Sequence, residues 1–540
     1  MPENALKRHG WLLLWMGLLL TALSSRPPLP IDETRYLSVA WEMWQSHQFL
    51  VPHINGIPYS HKPPLLFWLI QAGWWLFGVN AWSARLTAPI FGLLAILLTL
   101  RLCRALWPGD RELHTGIPYL LLGISFWAFY ATLTMFDMLI VCFSLVAWTG
   151  LWLGRENRKY LGWILYGAAT GLGILAKGPV ILVYILPPAL LAPWWMGREK
   201  IHSWTGWYVG LVSAVIAGVL IALAWAIPAA RAGGEQYAQA ILFGQTAGRV
   251  VHSFAHQRPF YWYLLLLPAL FFPWSFCLPV WSGLRQLRLS SPVRFCLSIL
   301  VPGFVLLSVI SGKQVHYLLP LLPPALLLLG RGFFINPLTK PFSQIVLPVF
   351  LLFFALALFI VPTLNLQGGD SAMLRFLPPW IGIVPMISAF LLYGKYSGTL
   401  QYVIKTSTVL VGMLVVLHLV LMKPGHTIYD LTVMGRKIHS AQEFGKAVAV
   451  YPARLSDQLQ FSGKLVHPLI PLQSIEDAVR WSGHNQGNDL LLFLDKEQQS
   501  FFTGSGTARP YRNGWLIFRS AQGILADYNN WIKSRSPEHR

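Results

Sequence analysis

Long apolar stretches recur along the whole chain, and no soluble fold can bury so many of them. A helix that spans a bilayer needs about 20 mainly apolar residues. Segment 64–78 is short and rich in Trp and Gly, which predicts an interfacial or re-entrant helix that is not counted among the transmembrane helices. The pattern predicts a polytopic α-helical membrane protein with about thirteen transmembrane helices. Their expected positions are near 11–29, 82–105, 114–131, 134–153, 160–176, 179–196, 204–229, 259–283, 293–311, 316–330, 342–363, 376–394 and 403–422.

The composition also indicates a membrane protein and argues against nucleic acid as a partner. Hydrophobic residues make up 55% of the 540 residues, and the 25 Trp are typical of aromatic belts at a membrane surface. The net charge of +20 comes from Lys and Arg in short clusters rather than on one continuous basic face. We therefore expect anionic lipid headgroups of the bilayer as the partner. Four cysteines are expected to be buried small hydrophobes: Cys103, Cys142, Cys277 and Cys296.

Basic residues in alternate loops predict the orientation of the helices, because such loops usually stay in the cytoplasm. The N-terminus is then cytoplasmic, and the opposite loops, which carry mixed charge, are extracytoplasmic. The cytoplasmic set is Lys7, Arg8, Arg101, Arg104, Arg111, Arg155, Arg158, Lys159, Arg198, Lys200, Arg285, Arg288, Arg294, Arg331, Lys340, Lys395 and Lys405.

The composition changes to that of an ordinary soluble domain after Lys423. We expect a transmembrane domain over 1–423, with extracytoplasmic loops at 30–81 and 230–258, and a small extracytoplasmic α/β domain over 424–540. In this second domain, Leu490–Leu494 and Trp515–Arg519 are predicted strands, while Ser440–Val450 and Ser474–Trp481 are predicted amphipathic helices.

Charged residues are scarce, and several lie where the first extracytoplasmic loop begins. If the chain from Asp32 to Gln45 is an interfacial helix, then Asp32, Arg35 and Tyr36 share one face. The alternative is an ordinary helix start, in which Asp32 is the N-cap and Glu33 favours the helix dipole.

Further charges are expected at the outer ends of predicted spans. Asp137 has no other charge nearby in sequence, and a carboxylate at such depth usually has a function; the alternative is a helix cap. Lys177 and Lys313 lie at sharp turns and could simply extend to the headgroups. Lys62 stands between His61 and two prolines, which fix the turn and favour a phosphate-binding role.

The extracytoplasmic stretch 243–263 carries four cationic or titratable side chains. It could cover a site as a lid, or it could be a plain connecting loop. Two acids and several cations on one membrane face suit a reaction at a lipid phosphate-sugar, since fixed cations stabilise the charge that builds on a leaving phosphate. The four side chains in the stretch 243–263 are Arg249, His252, His256 and Arg258.

Six short motifs, taken in order, resemble those of the 4-amino-4-deoxy-L-arabinose lipid A transferases (ArnT-like), within the GT-C or protein O-mannosyltransferase-like superfamily. The resemblance spans the whole chain, including thirteen helices and the C-terminal domain. The motifs are Asp32-Glu33-Thr34-Arg35-Tyr36, His61-Lys62-Pro63, Phe136-Asp137-Met138, Ala176-Lys177-Gly178, His256-Gln257-Arg258-Pro259-Phe260 and Ser311-Gly312-Lys313.

The resemblance implies transfer of aminoarabinose from undecaprenyl phosphate to a phosphate of lipid A, with inversion, at the periplasmic face of a bacterial inner membrane. Modified lipid A would repel cationic peptides such as polymyxin. Asp32 and Asp137 would lie beside the reacting carbon and the acceptor, and Arg35 and Lys62 would bind the carrier phosphate. The supporting residues would be Glu33, Tyr36, Lys177, Arg258 and Lys313.

One position departs from the family pattern. Family members commonly carry Glu before the Lys-Pro pair, and a metal site reported for them is built partly on that Glu, whereas this chain has His61. His61 could still pair with His252 or His256 at a divalent metal, because imidazole is a good zinc ligand. We expect no required cofactor.

Other functions remain open at this stage. A GT-C enzyme with another polyprenyl-phosphate sugar and a glycan or protein hydroxyl as acceptor would need the same charges. A membrane transporter would also carry intramembrane charges and broken helices. Against transport, the chain shows no internal repeat and its charges gather at outer helix ends. Nothing in the sequence requires more than a monomer.

Overall fold

A computed structural model describes residues 2–155, 159–197, 203–242, 257–335, 341–360, 378–495, 498 and 506–535. Over the described ranges the chain is a bundle of apolar helices followed by a domain with a mixed sheet. Six of the described helices are long and apolar enough to cross a membrane, and α-helices satisfy their own backbone hydrogen bonds in lipid. A polytopic helical membrane protein is therefore confirmed.

In the described part of the chain, helical segments lie in each of the thirteen predicted stretches, although several stretches are divided and six helices are long enough to cross a membrane. The first twelve helices are α1 (Pro2–Ser25), α2 (Asp32–Gln45), α3 (Leu65–Phe77), α4 (Ala81–Leu106), α5 (Arg111–Gly123), α6 (Ser125–Tyr130), α7 (Asp137–Gly154), α8 (Lys159–Lys177), α9 (Ile181–Leu190), α10 (Ala192–Met196), α11 (Trp204–Gly233) and α12 (Glu235–Gln239). The next seven are α13 (Trp262–Leu270), α14 (Leu278–Gln286), α15 (Ser291–Val309), α16 (Leu322–Ile335), α17 (Pro341–Ile360), α18 (Ile383–Leu392) and α19 (Thr399–Leu417).

Proline explains the main departure from the predicted spans. The stretch 259–283 was expected to form one helix, but α13 ends at Leu270 and α14 begins at Leu278, with a 3₁₀ turn between them. Pro273 lies in this interval and Pro279 is the second residue of α14, and proline removes a backbone donor and clashes with the preceding turn. A similar 3₁₀ segment, Val315–Leu321, precedes α16.

The antiparallel pair of α7 and α8 forms the centre of the bundle. α7 is buried along nearly its whole length. The two backbones touch at Gly150 and Gly162, where a Cβ added to Gly150 would lie 2.6 Å from the carbonyl oxygen of Gly162. Small residues allow such close approach between membrane helices. The pairing brings the start of α7 beside the end of α8.

The first large loop contains α2, α3 and a short hairpin of β1 (His53–Ile54) and β2 (Ile57–Pro58). Asn55 and Gly56 both have positive φ, as the tightest hairpin turn requires. The end of α3 exposes Trp75 and Phe77, which agrees with the interfacial position predicted for 64–78.

The C-terminal domain has a five-stranded sheet in the order β4-β3-β5-β7-β6. β3 pairs in parallel with β4 and β5, while β7 pairs antiparallel with β5 and β6. Its elements are α20 (Lys423–Tyr429), α21 (Thr432–Glu443), β3 (Val448–Tyr451), α22 (Gln460–Gly463), β4 (Ile470–Pro471), α23 (Ile475–His484), β5 (Asp489–Leu494), β6 (Thr507–Tyr511), β7 (Gly514–Ser520) and α24 (Ala521–Arg535).

Both predicted strands and one predicted helix of this domain are confirmed, as β5, β7 and α23. The helix expected over 440–450 is wrong in its second half. Gly445, with φ +73°, follows the end of α21, and Val448–Tyr451 forms the inner strand β3. The short run of β-branched and small residues is buried from Val448 to Val450, which suits a strand covered on both faces.

Candidate active site

Asp32 is the first residue of α2, and its carboxylate is half-buried. The Tyr36 hydroxyl, one turn later, donates a hydrogen bond to Asp32 Oδ1 at 3.2 Å, as the helical spacing predicts. Burial, followed by the charge of Asp32, raises the pKa of Tyr36 well above its ordinary value. The phenol therefore keeps its proton and remains a donor to the carboxylate.

Asp137 begins α7, and Lys177 ends α8. Their side chains form an ion pair with Lys177 Nζ 2.6 Å from Asp137 Oδ1, and only 6% of the Asp137 side chain and 11% of the Lys177 side chain are exposed. The same ammonium lies 4.7 Å from the centroid of the Tyr317 ring. Two residues predicted separately at outer helix ends thus form one unit.

Phe136 connects these carboxylates with Lys62. Its ring meets Tyr36 edge-on at a centroid distance of 4.9 Å, and Lys62 Nζ lies 5.9 Å from the ring centroid. Asp137 follows Phe136 directly and interacts electrostatically with Lys177 and Lys62. Tyr36 and Lys62 therefore contact the Phe136 ring, Asp32 is joined to it through Tyr36, and the Asp137–Lys177 pair begins at the next residue.

His316 belongs to the same group but was missed by the sequence analysis. The strongest charge interaction of His316 is with Asp137, and weaker ones join it to Lys177, Asp32 and Lys62. The residue falls at the edge of the apolar stretch predicted as a span over 316–330, where an imidazole is unusual. A lone histidine three residues after Lys313 was the available signal.

Glu33 is a buried connector rather than an exposed first-turn acid. It accepts hydrogen bonds from the backbone of Thr134 at 2.7 Å and of Leu29 at 2.9 Å, and it lies 3.6 Å from Arg26. Burial alone would raise the pKa of Glu33, but Arg26, then Arg85 and the two N–H donors hold it below its ordinary value. Glu33 therefore joins the start of α2 to the segment before Asp137.

Arg35 lies near Asp32 but faces the C-terminal domain as well. The guanidinium is half-buried, and its Nε has no hydrogen-bond partner within the described part of the chain. Its charge acts on Asp457, which belongs to a 3₁₀ turn over Ala453–Gln458. A guanidinium with an unused donor suits an anionic group, as expected for a carrier phosphate.

Lys313 and Arg258 form a separate cluster. Lys313 donates to the carbonyl oxygens of Arg258 at 3.0 Å and Ile310 at 2.5 Å, and burial lowers the pKa of its ammonium. The Arg258 guanidinium is exposed and lies 5.8 Å from the Trp262 ring centroid. Across the described ranges, neither cation bonds to Asp32 or Asp137, so the contacts give Lys313 a structural role.

The metal prediction stays a prediction. Among the residues that the structure describes, no group of three His, Cys, Asp or Glu side chains could hold an ion. His252 and His256 lie outside the described residues. His61 is exposed, and its ring stacks on Tyr59 at a centroid distance of 5.3 Å.

Comparison with known proteins gives the same family as the motifs. Residues 61–229 match the family described as dolichyl-phosphate-mannose-protein mannosyltransferase. An undecaprenyl phosphate-α-4-amino-4-deoxy-L-arabinose arabinosyl transferase from Pseudomonas aeruginosa is 34% identical over 336 residues, 60% of each chain. One from Edwardsiella ictaluri is 27% identical over 410 residues, 73% of this chain and 70% of the relative.

The fold comparison covers almost the whole molecule. The crystal structure of ArnT from Cupriavidus metallidurans in the apo state matches with a TM-score of 0.75, 18% identity, 95% coverage of this chain and 98% of that one. The form bound to undecaprenyl phosphate matches with a TM-score of 0.72 and 20% identity over 94% and 98%. The chain therefore has the fold of ArnT.

The family resemblance found in the motifs is thereby confirmed. The ArnT fold accounts for both parts of the chain, since the match extends over 95% of its length and includes the C-terminal sheet domain. By sequence, the match to the Pseudomonas aeruginosa relative spans 60% of that relative's length. Which substrates this ArnT-like chain uses is therefore a matter for proposal.

Proposed function

We propose that the protein is an inverting glycosyltransferase that moves 4-amino-4-deoxy-L-arabinose from undecaprenyl phosphate to a phosphate of lipid A. The observation that carries the proposal is that two carboxylates and two lysines, Asp32, Asp137, Lys62 and Lys177, all lie within electrostatic range of His316, with Lys177 Nζ 2.6 Å from Asp137. The names of the relatives supply the donor. Modified lipid A would carry less negative charge and would bind polymyxin less well.

The reaction needs charge stabilisation more than proton transfer. An oxygen of the acceptor phosphate attacks the anomeric carbon while the bond from that carbon to the carrier phosphate breaks, and undecaprenyl phosphate leaves with the electron pair. Arg35 and Lys62 bind that leaving phosphate and lower the barrier through fixed positive charge. Because the acceptor phosphate is already an anion, no strong base is required.

The two carboxylates have different surroundings and take different roles. Asp32 is half-buried and accepts one bond from Tyr36, so an oxygen remains to face the sugar and stabilise positive charge at the anomeric carbon. Asp137 is committed to Lys177, so it orients this ammonium toward the acceptor phosphate. His316, within electrostatic range of both acids, contributes to the same polar surface.

The reaction is assigned to the periplasmic face of a bacterial inner membrane. Thirteen crossings from a cytoplasmic N-terminus would place Asp32, Lys62, Asp137 and the C-terminal domain on that side. The catalytic domain is assigned to 1–423 and the periplasmic domain to 424–540, in a monomer. No cofactor is required by the reaction as written.

The test is an assay of the purified protein in lipid vesicles with a panel of polyprenyl-phosphate sugars. Transfer of aminoarabinose to lipid A, detected as a mass increase of the extracted lipid, is the expected result. Transfer of another sugar, or to a glycan or protein hydroxyl, would replace the substrate assignment. Solute movement across the vesicle without any transfer would support a transporter and refute the proposal.

A further inference from the structure

The C-terminal domain contacts α2 at both ends of its buried face. In the first turn, the Thr34 hydroxyl donates to Gln458 Oε1 at 3.2 Å, and the hydroxyl of Tyr511 donates to the same oxygen at 3.3 Å. In the third turn, Trp41 Nε1 donates to the carbonyl oxygen of Leu465 at 2.9 Å. The helix that carries Asp32 and Arg35 is therefore held by the sheet domain.

An aromatic cage around Lys464 lies at the centre of this interface. Lys464 Nζ is 3.6 Å from the ring centroid of Phe461, 4.6 Å from that of Trp41 and 5.7 Å from that of Trp74. These rings belong to α22, α2 and α3, and Trp74 stacks on Phe461 with an interplanar angle of 5°. One ammonium thus joins the C-terminal domain to both helices of the first loop.

Ring faces take the place of hydrogen-bond acceptors for this ammonium. Lys464 Nζ is buried and has no hydrogen-bond partner among the described residues. Burial lowers the pKa of Lys464 to about 8, so the amine is still mainly protonated at neutral pH. A desolvated cation is attracted to aromatic faces by the negative electrostatic potential above the rings.

The hairpin of the first loop extends the interface. Asn55 Nδ2 donates to the carbonyl oxygen of Leu469 at 2.8 Å, and Asn55 Oδ1 accepts from the Leu469 amide at 2.7 Å. Gln460 donates to the same Oδ1 at 3.1 Å. Because all three groups are buried, separation of the domains would leave several polar atoms unpaired.

These contacts act on Arg35 more directly than on Asp32. Thr34, which bonds to Gln458, directly precedes Arg35. Burial raises the pKa of Asp457 in the C-terminal domain, and the positive charge of Arg35 partly offsets this increase. Asp32, in contrast, is held from the membrane side through Tyr36 and the Glu33 contacts. The two ends of the first turn of α2 thus depend on different domains.

We infer that the C-terminal domain is a positioning part of the donor site, with Lys464 as its anchor on α2 and α3. It holds the Arg35 guanidinium where the carrier phosphate binds. The inference rests on the proposed function, since it takes Arg35 as a ligand of that phosphate. Lys464 itself touches no substrate and acts through α2.

The experiment compares full-length variants in lipid nanodiscs. Lys464→Glu places a carboxylate against the ring faces, Lys464→Arg keeps a cation there, and Arg480→Glu makes the same charge change at an exposed site of the same domain. Three quantities are measured: the Kd for undecaprenyl phosphate, KM and kcat for its aminoarabinose derivative, and hydrogen exchange over residues 32–45.

Lys464→Glu is expected to raise Kd and KM about tenfold, with a smaller effect on kcat, and to speed exchange over 32–45. Lys464→Arg and Arg480→Glu are expected to resemble the wild type. Faster exchange with unchanged Kd would refute the positioning role, and unchanged exchange would refute the anchor. Wild-type protein that binds undecaprenyl phosphate but transfers no aminoarabinose would refute the proposed substrate, while the change in Kd would still decide the positioning role.

Discussion

Two aspartates in one site differ because their neighbours differ. Asp137 is almost fully buried and paired with Lys177, whereas Asp32 is half-buried and accepts a bond from a neutral phenol. Pairs of titratable groups in contrasting surroundings commonly divide the work of a reaction. The division assigned here, with Asp32 at the sugar and Asp137 behind Lys177, leads to different outcomes for their variants.

Asp32→Asn is expected to lower kcat by roughly 100-fold or more while KM for the lipid donor changes little, because the amide keeps the size of the side chain but loses the charge beside the anomeric carbon. Turnover of lipid A by the purified variant provides the measurement. The matched control is Asp477→Asn, a helix-capping acid of the C-terminal domain. Normal turnover in Asp32→Asn would remove Asp32 from the catalytic role.

Asp137→Asn and Lys177→Met are expected to cause similar losses of activity, and the double variant should be little worse than either single one. The reason is that residues which act as a unit are strongly non-additive. A double-mutant cycle on kcat/KM measures the coupling between them. Additive losses would mean that Asp137 and Lys177 contribute independently, despite their 2.6 Å contact.

At the scale of elements, the buried ion pair of Glu33 and Arg26 joins α2 to the segment before α7. Glu33 and Arg26 hold the backbone at Thr134 and Thr132 respectively, so the first turn of α2 is joined to the segment that leads into Asp137. Removal of one partner of a buried ion pair leaves the other charge uncompensated. The relative position of Asp32 and Asp137 therefore depends on a residue that contacts neither carboxylate.

Glu33→Gln is expected to destabilise the protein by about 3 kcal/mol at neutral pH. Since the pKa of Glu33 is lowered on folding, this contribution is complete above its ordinary value of 4.5 and is lost as the pH falls through the folded value. The difference between variant and wild type should thus shrink below pH 4.5. This difference in stability is measured by heating each protein with a thiol-reactive dye, which labels the four buried cysteines when unfolding exposes them. Glu443→Gln, at an exposed site, should have no effect at any pH.

The close crossing of α7 and α8 is a second element-scale requirement. Gly150→Val places a side chain against the carbonyl oxygen of Gly162, which is backbone and cannot move aside. The helices must separate, so a loss of about 1–3 kcal/mol of stability is expected. Activity should fall with it, because the Asp137–Lys177 pair joins the outer ends of the same helices. Gly412→Val, where a Cβ meets no atom within 4 Å, is the control. Equal effects of both variants would contradict the packing argument.

At the scale of the whole molecule, the sequence predicts what depends on local pattern. Apolar stretches, strands β5 and β7, and the isolated charges Asp137 and Lys177 are visible locally. Their pairing is not, because it depends on how α7 and α8 pack. Lys464 was missed for the same reason: next to Gly463 and Leu465 it resembles an ordinary surface lysine, and its cage comes from distant segments. The error over 440–450 arose because its helical pattern continues into the residues of β3.

The topology of the molecule gives a final prediction, because a single long helix separates the C-terminal domain from Lys395. α19 and its π-helical extension run from Thr399 to Met422, 24 residues. At ~1.5 Å per residue they span about 36 Å, enough for a bilayer core of about 30 Å. Lys395 and the sheet domain must then lie on opposite sides of the membrane.

Single cysteines at two exposed positions, Lys395→Cys and Gln486→Cys, test this arrangement. The native cysteines in the described structure are buried, so the wild type should give little background labelling. With a membrane-impermeant maleimide on spheroplasts, Gln486→Cys should label at once and Lys395→Cys only after the membrane is permeabilised. Labelling of both variants from outside would place Lys395 and Gln486 on the same side. The crossing by α19 would then be wrong. Labelling of Gln486→Cys only after permeabilisation would instead place the sheet domain, and with it the α2 residue Asp32 that it packs beside, on the cytoplasmic side.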